Sequence, residues 1–213
     1  MVTVLRPSAA PRWFNCTKSV ELSKGLPDLA GEDAVQGTVA HALLEQCLSN
    51  GEVDANDYVG QKVVLDVDGG YVPEIQADIK DGKLERVFTA DHVSSVNVAL
   101  DTVWQVLKPE DHLFVEKKID CLPEVSGPVG AFVSKGTPDV RLHVLTDGVL
   151  WVFDLKHGFV LVEPDSEQLL VYAAGAFKAA CDDGHVPNTV KTVIIQPRAP
   201  HPEGQVRTHT MSA

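Results

Sequence analysis

The sequence predicts an α/β fold with a mixed central sheet flanked by helices, and three observations carry that reading. Residues 139–145 (DVRLHVL) alternate apolar and polar side chains, and 149–156 (VLWVFDLK) return across Thr146-Asp147-Gly148, an Asp-Gly hairpin signal. Two stretches, 37–49 and 166–180, space their apolar residues as helices do. Helices therefore bracket the hairpin and a strand at 189–197 follows, the order expected of helices packed on a mixed sheet.

Taken in order, residues 1–36 are rich in Pro, Ser and Gly, with Trp13 and Phe14 as expected anchors and Gly25-Leu26-Pro27 as a helix breaker. From Gly37 to Ser49, Val39, Leu43, Leu44, Cys47 and Leu48 form an apolar stripe, and Asn50-Gly51 is a stop signal. Residues 51–73 are acidic and turn-rich and read as an exposed excursion. A long helix is expected over about 73–107, open to interruption near Asp81-Gly82 and ended by Pro109. Residues 112–119 (HLFVEKKI) read as one strand, and 129–133 as a short strand or loop. The helix over 166–180 has Ser166 or Asp165 as its cap, and Pro197 closes the last strand.

At 213 residues, 44% hydrophobic and 23% charged, the chain has the size of one domain with a real core. We expect a single domain over 1–213: a mainly helical part over 1–110, a sheet core over 111–198 and a tail over 199–213. No run of about 18 apolar residues is present, and the N-terminus lacks the basic-then-apolar order of a secretory signal; a cytoplasmic protein without a membrane span is expected. Cys16, Cys47, Cys121 and Cys181 are widely spaced with no CxxC, so free and mostly buried thiols are expected rather than zinc or disulfides. The net charge of −12 argues against tight non-specific binding of nucleic acid. It leaves room for contact along a local basic strip, and it suits a site that gathers carboxylates around cations.

The chemistry concentrates in 136–172. Asp139 opens one strand of the hairpin, and Asp154 and Lys156 lie two apart near the end of the next, on one face. The apolar run before Asp154 implies a buried strand, where an unpaired carboxylate and ammonium cost several kcal/mol. A hard cation held by two carboxylates and a backbone carbonyl, that of Leu155, removes the cost and can activate water on a phosphodiester. A lysine beside it can help deprotonate or orient that water and can neutralise developing charge.

GTPD (136–139) with DLK (154–156) resembles the core of the PD-(D/E)XK nuclease superfamily. Gly37-Thr-Val-Ala-His41 resembles the GxxxH helix of its RecB-like branch, and Gln168 with Tyr172 that branch's QxxxY. The chain is also similar to an uncharacterised family of phage and prophage proteins in the opening RWxNC (Arg12–Cys16), the GTxAH helix, DxKxG, QLxxYAxGA and IIQPR (Ile194–Arg198), over about residues 8–198. The resemblance implies a restriction-endonuclease-like core and a DNA exonuclease of phage recombination or processing, acting in the bacterial host cytoplasm. It implies Mg²⁺ or Mn²⁺ held by His41, Asp139, Asp154 and the Leu155 carbonyl. Lys156 activates water, Gln168 supports the catalytic loop, and Tyr172 reaches a phosphate. A single-strand annealing or single-strand-binding protein is an implied partner; oligomeric state is left open. The cysteine triplet of iron–sulfur relatives is absent, so no cluster is expected. Members of that phage family continue beyond the QPR strand, so a short or truncated homologue is expected.

Plainer readings stand beside these. Asp154 and Lys156 can be a strand-end ion pair, and His41 a core residue. Glu45 reads as solvated, Glu116 as either a further acidic ligand or an edge charge, and His157 as structural or exposed. Lys18, Lys24, Lys117, Lys118, Lys135, Arg141 and Lys178 are candidates for a DNA strip, with solvated surface the default; Trp13, Trp104 and Trp151 read as core. Two rivals to the nuclease remain: a non-catalytic nuclease-fold module that binds DNA or protein, and a hydrolase of small phosphoesters.

Overall fold

The computed structural model describes residues 2–16, 18–23, 26, 29–67, 70–127 and 130–213. The chain begins with a strand, β1 (Val2–Leu5), a turn of 3-10 helix and two short helices, α1 (Ala10–Asn15) and α2 (Ser19–Leu22). Of the expected breaker, Gly25 and Pro27 lie outside the described residues, as does Lys24. After β2 (Leu29–Ala30) comes α3 (Glu32–Asn50), which starts five residues before Gly37 and stops where Gly51 takes a left-handed φ of 72°.

Residues 51–110 correct the sequence reading. The expected excursion contains β3 (Lys62–Asp66), and β4 (Gly70–Tyr71) and α4 (Pro73–Gln76) follow. The long helix over 73–107 is instead α4, a strand β5 (Lys83–Val87) and α5 (Ala90–Trp104). Asp81 (φ 51°) and Gly82 (φ 72°) form a turn no helix can contain, and β5 returns antiparallel to β3. The 1–110 region accordingly carries short strands among its helices.

The principal sheet uses β6 (His112–Val115), then, beyond β7 (Ile119–Gly127) and β8 (Gly130–Gly136), β9 (Val140–Val144) and β10 (Val149–Leu155). It is completed after α6 (Glu167–Asp182) by β11 (Thr189–Ile195) and β12 (Val206–Ser212). Its order is β12-β11-β10-β9-β6, with β10 and β11 parallel and every other pair antiparallel. The expected tail over 199–213 is thus an edge strand. Its residues (VRTHTMS) expose every other side chain from Thr208 on and carry too few apolar groups to announce a strand, and pairing with β11 supplies the reason it forms. The expected strand over 112–119 breaks at Glu116 (φ 46°), and β7 leaves to join β1 and β8 in a second sheet. Of the stretch expected as strand or loop at 129–133, Val129 lies outside the described residues, and the rest belongs to β8.

Helices cover both faces of the principal sheet. Val140, Leu142, Phe153, Leu155, Val193 and Ile195 pack with α3 and α5, while Leu150, Val152, Val190 and Ile194 pack with α6. All five residues of β9 are buried, Arg141 and His143 among them, so its alternation does not mark a half-exposed strand: the sheet is covered on both faces there. Among the described residues no helix is long and apolar enough to cross a membrane. All four cysteines are free, but only Cys47 and Cys121 are buried, and Cys16 is exposed. Trp13, Trp104 and Trp151 pack at the core's margin rather than inside it, and Phe14 is 55% exposed.

Candidate metal centre

Strand register alone gathers three carboxylates. Val115 pairs with Val140, and Val140 with Phe153, so Glu116, Asp139 and Asp154 stand side by side at the ends of β6, β9 and β10. The Glu116 N–H donates to the Asp139 carbonyl at 2.9 Å, locking the first two together. Glu116 adopts its positive φ there although it carries a β-carbon, a conformation costing about 1–2 kcal/mol. Strain of this kind is held where the surrounding structure dictates the side-chain direction.

The fourth segment is α3. Its core face carries Val39, Ala40, Leu43 and Leu44, and His41 stands half-buried beside it. The imidazole Nδ1 lies 3.2 Å from Asp139 Oδ1 and 3.7 Å from Glu116 Oε1. Its Nε2 lies 2.9 Å from the Leu155 carbonyl oxygen. His41, Glu116 and Asp139 place ligand atoms within 4.8 Å of one another, the one such group among the described residues. Asp139 is steadied further by its Oδ2, which accepts the Leu155 N–H at 2.6 Å.

Asp154 is turned to a different partner. Its Oδ2 sits 2.7 Å from Lys156 Nζ, and its Oδ1 accepts a hydrogen bond from Gln168 Nε2 at 3.2 Å. The Gln168 Oε1 accepts from Lys156 Nζ at 3.4 Å. Asp154 and Lys156 therefore do share a face, and the α6 glutamine holds both. Tyr172, one turn further on α6, is buried against Gly136, where an added Cβ would lie 2.7 Å from its ring and 2.6 Å from Pro7. The glycine of GTPD thus has a steric cause.

The electrostatics are those of crowded acids. Burial pushes the Glu116 carboxyl up, and the charge of Asp139 adds to this against the pull of His41. Burial likewise raises Asp154, again with Asp139 adding and Lys156 opposing. For Asp139 burial is outweighed by His41, Lys156 and the Leu155 N–H, and its carboxyl falls. Burial opposes the charge on His41 and Lys156, yet their acidic neighbours raise both. Tyr172 is raised by burial and by the same two aspartates.

Three carboxylates face one ammonium, which leaves two uncompensated negative charges when the imidazole is neutral. That is the charge of one divalent cation, and the donor set of carboxylate and carbonyl oxygens plus one imidazole suits a hard to borderline ion such as Mg²⁺ or Mn²⁺. The residues present fit such an ion.

Behind the centre, His157 is buried and structural in its contacts: Nδ1 lies 3.1 Å from Ser95 Oγ, and Nε2 lies 2.8 Å from Arg198 NH1. Burial pushes it down to about 4, so the neutral ring accepts from Arg198 and donates to Ser95. Glu45 is exposed yet near enough to Glu116 to push it up. The sequence brought together His41, Asp139, Asp154, Leu155, Lys156, Gln168 and Tyr172, and the structure places all seven around β10's end. It left Glu116 undecided, since a lone glutamate in an alternating strand carries no signal of a left-handed break.

The basic strip fares differently. Arg141 is 4% exposed, its guanidinium lying 4.5 Å from the centre of the Phe114 ring, so it is no surface contact. Lys135 pairs with Asp120 at 3.0 Å and Lys178 with Asp182; Lys18, Lys117 and Lys118 are exposed. Ser166 takes the N-cap position of α6, but its side chain makes no capping bond.

A family model described as "Protein of unknown function (DUF2800)" matches residues 3–213, and the chain belongs to that family.

Proposed function

We propose that the chain is a metal-dependent nuclease of the PD-(D/E)XK superfamily, RecB-like in type, that hydrolyses phosphodiester bonds of DNA. The observation that carries the reading is the convergence of His41, Glu116 and Asp139 within 4.8 Å beside the Asp154–Lys156 pair. His41, Glu116, Asp139 and the Leu155 carbonyl would hold the cation, with Asp154 at its flank. A bound Mg²⁺ or Mn²⁺ supplies Lewis acidity to the phosphoryl oxygen and a more acidic water at neutral pH.

The chain's own groups do the rest. The raised Lys156 remains an ammonium, so its contribution is to orient water and neutralise charge growing on the phosphate, rather than to accept a proton. Gln168 contacts both that ammonium and the Asp154 carboxylate, which is the positioning that phosphoryl transfer depends on. The Ser95–His157–Arg198 set, with Asp91 3.3 Å from Arg198, braces the chain just after Lys156.

Linear DNA assayed with Mn²⁺ or Mg²⁺ tests the reading: Asp154→Ala and Lys156→Ala should each lose at least 100-fold in rate, by roughly the weight of one electrostatic group. Equal rates in all three proteins sink it. An exonucleolytic role in phage recombination extends the same reading and requires circular DNA to resist.

A second reading has its own observation. The His41–Asp139 and Asp154–Lys156 contacts satisfy much of the centre internally, as a non-catalytic nuclease-fold module would. Calorimetric silence toward Mn²⁺ with an intact fold favours that module.

A further inference from the structure

The opening motif RWFNC plays no part in the metal centre, yet its Arg12 and Trp13 line a groove of their own. Residues 1–27 carry four bases (Arg6, Arg12, Lys18 and Lys24) against one acid, Glu21, in a chain whose net charge is −12. β1, the turn Pro7–Ala9, α1 and α2 enclose a groove of about 620 Å³, with Arg6, Arg12, Trp13, Ser8 and Ser23 in its lining. Both arginines are exposed, and neither forms an ion pair among the described residues, unlike Arg86, Arg198 and Arg207. The Trp13 indole N–H donates to the Arg6 carbonyl at 3.1 Å, which fixes the ring against the turn. Phe14 stacks on it at 4.5 Å between centroids while staying 55% exposed.

The groove also adjoins the centre. Its turn Pro7–Ala9 packs on α6, and both Pro7 and Tyr172, one helical turn from Gln168, close on Gly136, three residues before Asp139. Unpaired guanidiniums attract phosphates as bidentate donors, and an exposed aromatic face offers a base a stacking partner only if that base is unpaired. A volume of nucleotide size completes the fit.

We propose that this groove is the path of a single nucleic-acid strand to the metal centre, with Arg6 and Arg12 on phosphates and the Trp13–Phe14 pair stacked against a base. The strand's fate at its end rests on the nuclease reading; its binding does not.

The test uses the full chain in EDTA with a fluorescein-labelled oligothymidylate, anisotropy being read across a salt series, and circular dichroism checks each variant's fold. The double variant Arg6→Ala/Arg12→Ala should bind on the order of 10-fold more weakly. Its log–log salt slope should flatten by about 0.7 for each phosphate no longer neutralised. Phe14→Ala, at an exposed position, should weaken binding by a similar factor. Hydrolysis of bis(p-nitrophenyl) phosphate with Mn²⁺, too small a substrate to need the groove, should be unchanged in all variants. Cleavage of DNA by the parent with affinity and slope unaltered in the double variant overturns the groove and spares the nuclease. Salt-dependent binding that weakens in both variants, without cleavage by the parent, upholds the groove and removes the nuclease. Equal losses for duplex DNA, or heparin binding indifferent to Phe14, mark a mere polyanion patch or duplex track and overturn the proposal.

Discussion

His143 shows how one side chain writes itself into the pH dependence of the fold. It sits on β9, 3% exposed, and neither ring nitrogen has a hydrogen-bond partner. Burial first, then the Arg141, His185 and His112 charges, push it down to about 4 against the opposing pull of Asp183. The unfolded chain has an ordinary histidine near 6.5. Folding therefore favours the neutral ring: the contribution is full above about pH 6.5 and is lost as pH falls toward 4, amounting to up to about 3 kcal/mol at the acid end. His143→Gln should consequently lose less stability between pH 7 and pH 4.5 than the parent, as read from urea midpoints; parallel curves would remove His143 from the account. Nothing in the sequence foretold this, because an alternating DVRLHVL strand leaves Arg141 and His143 looking solvent-facing. The candidate metal centre was more legible. Asp154 and Lys156, two apart after an apolar run, had to share a face and needed partners, and both conditions hold.

Elements were legible where periodicity was strong and ambiguous where turns decided. The stripe through Val39, Leu43, Leu44, Cys47 and Leu48 identified α3, and all five residues are buried. The apparent helix over 73–107 misled because Leu84, Val87 and Phe88 fit a helical spacing and a strand about equally well over so short a span. What settles it is the Asp81-Gly82 turn before β5 and the cap after it. Thr89 has extended backbone; its hydroxyl accepts the His92 N–H at 3.4 Å, and the His92 Nδ1 accepts the Thr89 N–H at 3.0 Å. A histidine replaces the usual glutamate of the capping box, which hid the signal. Thr89→Ala should lower the unfolding free energy by about 1 kcal/mol, with α5 amides exchanging faster than those of α3. Protection unchanged across α5 would show the cap to be redundant with packing.

Taken together, the chain places its acids by long-range pairing. His41, Glu116, Asp139 and Asp154 come from four segments, brought together only when α3 docks on the sheet and β6, β9 and β10 are in register. The unfolded chain has no such site, so any ion the centre holds must stabilise the fold by mass action. At 100 times the dissociation constant this is worth about 2.7 kcal/mol, or roughly 5–10 °C in midpoint for a domain of this size. The imidazole among the donors favours Mn²⁺ over Mg²⁺ at equal concentration. Thermal unfolding should therefore shift upward with Mn²⁺, less with Mg²⁺, and hardly at all with either in Asp139→Asn, which removes the oxygen charge nearest His41. Asp139→Asn will start from a lower midpoint because His41 loses its partner, so the comparison is the metal-dependent shift, not the midpoint itself. A parent protein whose midpoint ignores both ions, or a variant that shifts as far as the parent, means that the crowded carboxylates are balanced by Lys156 and His41 alone.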